Sequence, residues 1–325
     1  MNFKDIILTH NKSIVNSREE CNTTRNLGNH SFKFPVTISN MKSVVTKEVC
    51  QIFDNNNLFY VYQRIDGRQD VLDFSRWANN NLKITSISVG ITKEWITLVE
   101  VLFYNRINID YFTVDVALSY NDNIIPILEK IKLYFPNSFV ICGNGSTSEW
   151  LKWISELKNI RGINLVNAVK FNIGVSKACR TKENTGFSNN TVDTILELSH
   201  TNKQLENKLV LITDGGLTIE NNEINVGDIA KALTLGADWI MSGSLYSRCI
   251  DSPAIQNGYF GNASEQAKGN KKNIEGATIQ IKPNKLTIQD MINLVHESLQ
   301  SSISYGGGKD LSCLNIENIK IQEVN

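Results

Sequence analysis

Eight short apolar runs, rich in β-branched and aromatic residues, recur roughly every 25 to 40 residues along this chain, with helix-like segments between most of them. They span residues 34–40, 58–64, 84–90, 111–117, 138–144, 168–174, 209–216 and 238–243. Near-continuous apolar runs that alternate with helices are the pattern of parallel strands buried on both faces. Eight of them predict an α/β fold of the (β/α)8 TIM-barrel type. A doubly wound sheet would need a glycine-rich dinucleotide turn after its first strand, and none is visible. The intervening helices fit this reading. Residues 124–135 carry apolar side chains at three- and four-residue spacing, and residues 288–299 would close the barrel. Asp228 stands as N-cap or early acid before residues 229–235, and Gly236 stops that helix.

Polar residues and glycines gather where these strands end: Asn40, Arg64, Gly90, Asp115, Asn144, Gly174, Asp214 and Gly243. A barrel builds its active site on that face, from strand ends and the loops after them. About half of these residues could be turn formers only, but their alignment at corresponding positions favours a site. Residues 246–285 are too long for a routine connection and rich in Gly, Asn and Lys, so they are expected to form a mobile flap within a single domain spanning 1–325.

Composition excludes several classes. Lys+Arg and Asp+Glu balance at 33 each, so no basic excess points to a nucleic-acid partner. The six cysteines are scattered without a C-x-x-C pair, which argues against a disulfide framework or zinc site and for a reducing compartment. The four histidines show no ligand spacing, and each is expected on the surface or in a helix. No run approaches the roughly 20 apolar residues of a membrane helix, and the first residues have no signal-peptide character. The expectation is a cytoplasmic protein with no membrane partner.

The stretch 170–186 runs off an apolar strand into a Gly/Ser turn that presents Cys179, with Thr181 two residues on. A thiol on a tight turn beyond a buried strand can be exposed, held rigidly and activated as a nucleophile. The alternative is a space-filling cysteine, the commoner fate of a free thiol.

Taken together, the ordered motifs resemble the IMP dehydrogenase and GMP reductase family over nearly the whole chain. They are Asn40-Met41, residues 87–90, Asp115, Gly143-Asn144, Cys179 with Thr181, and Thr185-Gly186. Asp214-Gly215-Gly216, residues 227–233, 236–238, 241–245, 259–265, 272–276 and 299–307 complete the set. The resemblance implies a (β/α)8 barrel that assembles as a homotetramer. It implies reductase rather than dehydrogenase character, because no regulatory domain is inserted after Gly90 and the dehydrogenase Arg-Tyr pair is not evident in the flap. It further implies NADPH-dependent reduction of GMP to IMP and ammonia through a covalent adduct between Cys179 and purine C2. Thr181 and Glu265 would relay the proton. Asp214 would hold the ribose, and backbone amides near Gly215, Gly216, Gly243 and Ser244 the phosphate, with Met41 beside the base. Asp115 and Asn144 would face the cofactor, and a potassium ion could sit near Gly174.

The chain departs from that pattern in places. Asn172, Val175 and Ser176 stand where the family's catalytic loop has glycine, proline and glycine. Of these, Asn tolerates a positive φ while Ser does so poorly. Leu118-Ser119-Tyr120 replaces a polar residue and glycine, Gly145-Ser146 stands where valine is usual, and Ala254-Ile255 replaces Gly-Glu. Two alternatives therefore stay open: the same cysteine chemistry on a modified or deoxy purine nucleotide, and a catalytically silent nucleotide-binding relative.

Overall fold

The computed structural model describes residues 1–176, 178–220, 223–270 and 272–324. Seven of the eight apolar runs form strands, all but the fourth strand shorter than their runs because the polar ends leave the ladder to become loop. They are β1 (Val36–Thr37), β2 (Ser86–Val89), β3 (Tyr111–Asp115), β4 (Phe139–Gly145), β5 (Ala168–Phe171), β6 (Val210–Asp214) and β7 (Trp239–Met241). All pair in parallel in the spatial order β1-β7-β6-β5-β4-β3-β2. Neighbours in sequence are neighbours in the sheet, and β1 sits beside β7, so the sheet curls round on itself as a TIM-barrel-like α/β domain.

The remaining position, between β1 and β2, belongs to residues 58–64. Here the expected strand is reduced to one bridge, Tyr62 to Ile87, with Tyr62 N–H donating to Ser86 O at 3.0 Å and Ser88 N–H to Tyr62 O at 2.9 Å. On the other side the Thr37 hydroxyl donates to Phe59 O at 2.7 Å, so a side chain takes a carbonyl that a ladder amide would otherwise claim.

Helices cover the outside. α1 (Lys47–Asn55), α2 (Arg68–Asn81), α3 (Lys93–Tyr104), α4 (Ile125–Tyr134), α5 (Ser148–Ser155), the short α6 (Thr181–Thr185), α7 (Thr191–Gln204) and α8 (Gly227–Leu235) follow in order. Beyond them come α9 (Ser244–Ser247), α10 (Pro253–Asn257), α11 (Glu265–Lys268) and α12 (Ile288–Tyr305). Asp228 lies inside α8 rather than capping it: fully buried, it accepts from Thr218 N–H at 2.8 Å and from Lys231 Nζ at 3.1 Å. Gly236 ends that helix with φ +111°.

Aromatic rings fill the amino-terminal end of the barrel. Phe59 lies 4.9 Å from Tyr111 and 5.9 Å from Trp239 between ring centroids, and Phe32 packs edge-on to Phe59 and Trp239. Phe32 arrives on a small hairpin, Arg25–Leu27 paired with His30–Phe32, that plugs this floor. His30 belongs to the plug, neither on the open surface nor in a helix, with its ring nitrogen 2.8 Å from the Tyr111 hydroxyl. The centre of the floor is thus aromatic, and the cavity opens at the opposite, carboxyl-terminal mouth.

A methyl group added at Gly236 would meet Ser199 Oγ at 2.1 Å, on top of the cost of a left-handed backbone. Gly236→Ala is expected to destabilise the fold by more than about 1 kcal/mol. Urea titration should show a lowered midpoint at unchanged slope, with partial recovery in the Gly236→Ala, Ser199→Ala double variant.

Candidate active site

The strand ends converge on a cavity of about 480 Å³ at the carboxyl-terminal mouth. Its deepest polar element is Lys170, from the apolar strand β5, whose side chain is 3% exposed. The ammonium donates to Asp115 Oδ1 at 2.8 Å, Asn144 Oδ1 at 2.5 Å and Asp214 Oδ2 at 3.2 Å, which uses its three donors on the ends of β3, β4 and β6. Burial alone would lower its pKa, but the two carboxylates outweigh burial and hold it above the usual lysine value. Asp115 experiences the converse. Burial favours its neutral form, yet Lys170 and then Arg64, whose Nε is 3.5 Å from Oδ2, keep its pKa below the ordinary value. Of these five, only Lys170 escaped the strand-end reading. Its signal was a lysine inside an otherwise apolar strand, a position that demands buried partners.

Cys179 stands on the loop after β5, partly exposed. Its Sγ–H donates to Thr181 Oγ1 at 3.2 Å, and that hydroxyl donates to Glu275 Oε2 at 2.9 Å. The expected partner of Thr181 was Glu265, and here the geometry corrects the expectation. Ser264 caps α11, its hydroxyl accepting Ala267 N–H at 3.1 Å, and Glu265 opens that helix as an exposed residue outside the cavity lining. Glu275 is instead delivered by backbone pairing: Arg180 N–H donates to Glu275 O at 2.7 Å, and Ala277 N–H to Ala178 O at 2.9 Å. The segment 246–285 therefore lies against the cysteine loop. It is built from α10, α11 and a strand pair, Tyr259–Phe260 with Thr278–Ile279.

The nonstandard residues of the cysteine loop have compensating partners. Asn172 takes φ +102°, a conformation that costs a non-glycine residue. Its side chain donates to Thr213 Oγ1 at 2.9 Å and accepts from Asn189 Nδ2 at 2.8 Å. Asn189 Oδ1 in turn accepts Ile173 N–H at 2.6 Å. Ser176 and Val175 avoid positive φ altogether, so the loop keeps one glycine, Gly174 at +71°, where the left-handed backbone is needed. The Gly174 carbonyl, the expected cation ligand, accepts from Ser188 Oγ at 3.4 Å.

Met41, Asp214, Gly215, Gly216, Gly243 and Ser244 all line the cavity, as do Asp115, Asn144, Cys179 and Thr181. Asp214 keeps partial exposure at 19% while accepting from Ser39 Oγ and Asn144 Nδ2, both at 3.2 Å. Gly215 departs from its expected role: its amide donates to Met241 O at 2.8 Å and is committed to the barrel. Gly216, at φ +87°, has no room for a side chain, since a Cβ would meet Thr191 Oγ1 at 2.4 Å. Tyr259, missed from sequence, brings its hydroxyl to Met41 Sδ at 3.8 Å, and burial pushes its pKa up to about 12. Beside Asp115, Leu118 and Tyr120 are exposed, while Ser119 is buried and supports the Asn144 peptide, its amide donating to Asn144 O at 2.7 Å. Trp150 Nε1 donates to the Ser119 hydroxyl at 2.9 Å, so the altered tripeptide is a built feature.

Asn189→Ala would remove the partners of Asn172 Oδ1 and of the Ile173 amide together. It is expected to cost about 1–3 kcal/mol, read as a lowered melting temperature, and to raise the rate at which Cys179 reacts with a small alkylating agent.

The sequence of this chain is similar to known proteins along nearly its whole length. The model of the IMP dehydrogenase / GMP reductase domain matches residues 1–324. A GMP reductase of Helicobacter pylori is 37% identical over 320 residues, covering 96% of this chain and 93% of that protein. GMP reductases of Oceanobacillus iheyensis and Enterococcus faecalis are each 36% identical, covering 98% and 96% of this chain and 95% and 93% of their own lengths. With the fold, the cysteine loop and near-full-length similarity in agreement, the chain belongs to the IMP dehydrogenase / GMP reductase family.

Proposed function

We propose that this protein reduces GMP to IMP and ammonia with NADPH, and that the hydrogen-bonded series Cys179–Thr181–Glu275 carries the chemistry. That series is the observation on which the reading rests. It gives the thiol proton a path through the Thr181 hydroxyl to the Glu275 carboxylate, leaving a thiolate free to bond to purine C2. As the C2–N bond breaks, Thr181 and Glu275 return a proton to the departing amine. NADPH, when bound, supplies the hydride that C2 gains before the C–S bond opens and releases IMP and the thiolate. The chain's own task is to orient: Asp214 toward the ribose hydroxyls, the amides of Gly216, Gly243 and Ser244 toward the phosphate, and Met41 toward the base.

The cofactor side fits the same reading. Asp115 and Asn144 offer polar groups where β3 and β4 end, and the exposed Leu118 and Tyr120 offer an apolar face for a ring to lie on. Segment 246–285 acts in this proposal as a flap whose docking brings Glu275 to the cysteine. A potassium ion at Gly174 and a homotetramer, with Phe103, Tyr104 and Leu133 exposed on α3 and α4, complete it. Among the described residues no helix is long and apolar enough to cross a membrane, and a cytoplasmic setting is part of the proposal.

With GMP and NADPH, the protein is expected to consume NADPH and form IMP in equal amounts, and Cys179→Ala to abolish turnover. Nucleotide binding without turnover would overturn the reading. Glu275→Gln should lower kcat by about 10²–10⁴-fold. Glu265→Gln, at an exposed helix start, should keep kcat within about threefold, as expected of a surface substitution. The reverse ranking would restore Glu265 to the relay.

A further inference from the structure

We infer that Lys170 is a positioning residue that couples the nucleotide and cofactor subsites, through one buried ammonium shared between Asp214 and Asp115. The inference rests on the assignment of those subsites proposed above. Lys170 lines the same cavity, 3% exposed, with its three donors taken by Asp115, Asn144 and Asp214. Its contacts are unequal. Asp115 Oδ1 is held at 2.8 Å, whereas Asp214 Oδ2 is held at 3.2 Å and also receives Asn144 Nδ2 at 3.2 Å. Asn144 spans the same two sides, since its Nδ2 also donates to Asn172 O at 2.9 Å, at the root of the cysteine loop.

Ribose hydroxyls that donate to Asp214 satisfy part of its charge. The longest of the three lysine contacts is then the one to relax, and the ammonium turns more fully to Asp115. Asp115 is itself fastened to Arg64, whose Nη2 donates to the Asp115 carbonyl at 2.8 Å. A filled nucleotide subsite thus leaves the cofactor-side carboxylate more firmly oriented, and by thermodynamic reciprocity a filled cofactor subsite favours the nucleotide. Two carboxylates and two cations in one buried set make this arrangement neutral, so the exchange moves hydrogen bonds without creating uncompensated charge.

The test uses GMP with NADP+, a pair that binds but lacks the hydride for reaction. Titration calorimetry on the full chain measures the GMP dissociation constant with and without saturating NADP+. The wild-type protein is expected to bind GMP about fivefold or more tightly when NADP+ is present, within the usual range of coupling between sites. Lys170→Met should reduce that ratio below twofold while circular dichroism and melting show a folded protein, and Lys170→Arg should retain part of it. Asp115→Asn removes one of the two shared carboxylates and should abolish the ratio in the same way, which keeps the test decisive if Lys170→Met does not fold. A wild-type ratio of one, or a wild-type-like ratio in Lys170→Met or Asp115→Asn, overturns the coupling alone. No GMP binding to the wild-type protein overturns the functional reading and the coupling with it.

Discussion

The mouth of this barrel is organised by a single buried ammonium. Three strand ends carry acceptors that would repel or starve one another without Lys170: Asp115, Asn144 and Asp214. Removing one partner of a buried pair leaves an uncompensated charge at a cost of about 3–5 kcal/mol, whereas an apolar replacement of the whole group is often neutral. Stability alone therefore gives no reason for the set to exist. What it supplies is placement. A carboxylate with lysine, asparagine and serine donors behind it can stand partly open at a cavity wall with its orientation fixed, which a solvated carboxylate cannot do.

The amino-terminal floor makes that placement possible. Phe32, Phe59, Tyr111 and Trp239 exclude water from below, so the polar groups above them meet each other and the cavity only. Neutral pairing of Lys170 and Arg64 with Asp115 and Asp214 is the condition for keeping four charges in so restricted a setting.

Much of this was legible in the chain. Period and spacing of the apolar runs identify the ring of strands, and the polar residue ending each run identifies the mouth. Residues 58–64 show the limit: their composition is that of a strand, but whether a backbone amide or the Thr37 hydroxyl meets Phe59 is decided across the ring, beyond any local pattern. The carboxylate of the relay is a similar case. Glu265 and Glu275 lie ten positions apart in one glycine- and lysine-rich segment, and motif order alone favours the former. Only the pairing of Arg180 with Glu275 selects between them. The asparagine at position 172 was readable as a residue that bears positive φ, but its support by Asn189 crosses 17 residues and belongs to the fold.

Glu275 and Cys179 are brought together by main-chain bonds between two separate stretches of chain, so the proposed nucleophile and its carboxylate are parts of one assembly with a seam through it. While the seam is closed, the thiol has its hydroxyl and acid in line. Were it open, the same thiol would lose that path for its proton. A sulfur built this way would be armed only while the two stretches are joined, so its chemistry would depend on a contact between segments and not on the cysteine loop alone.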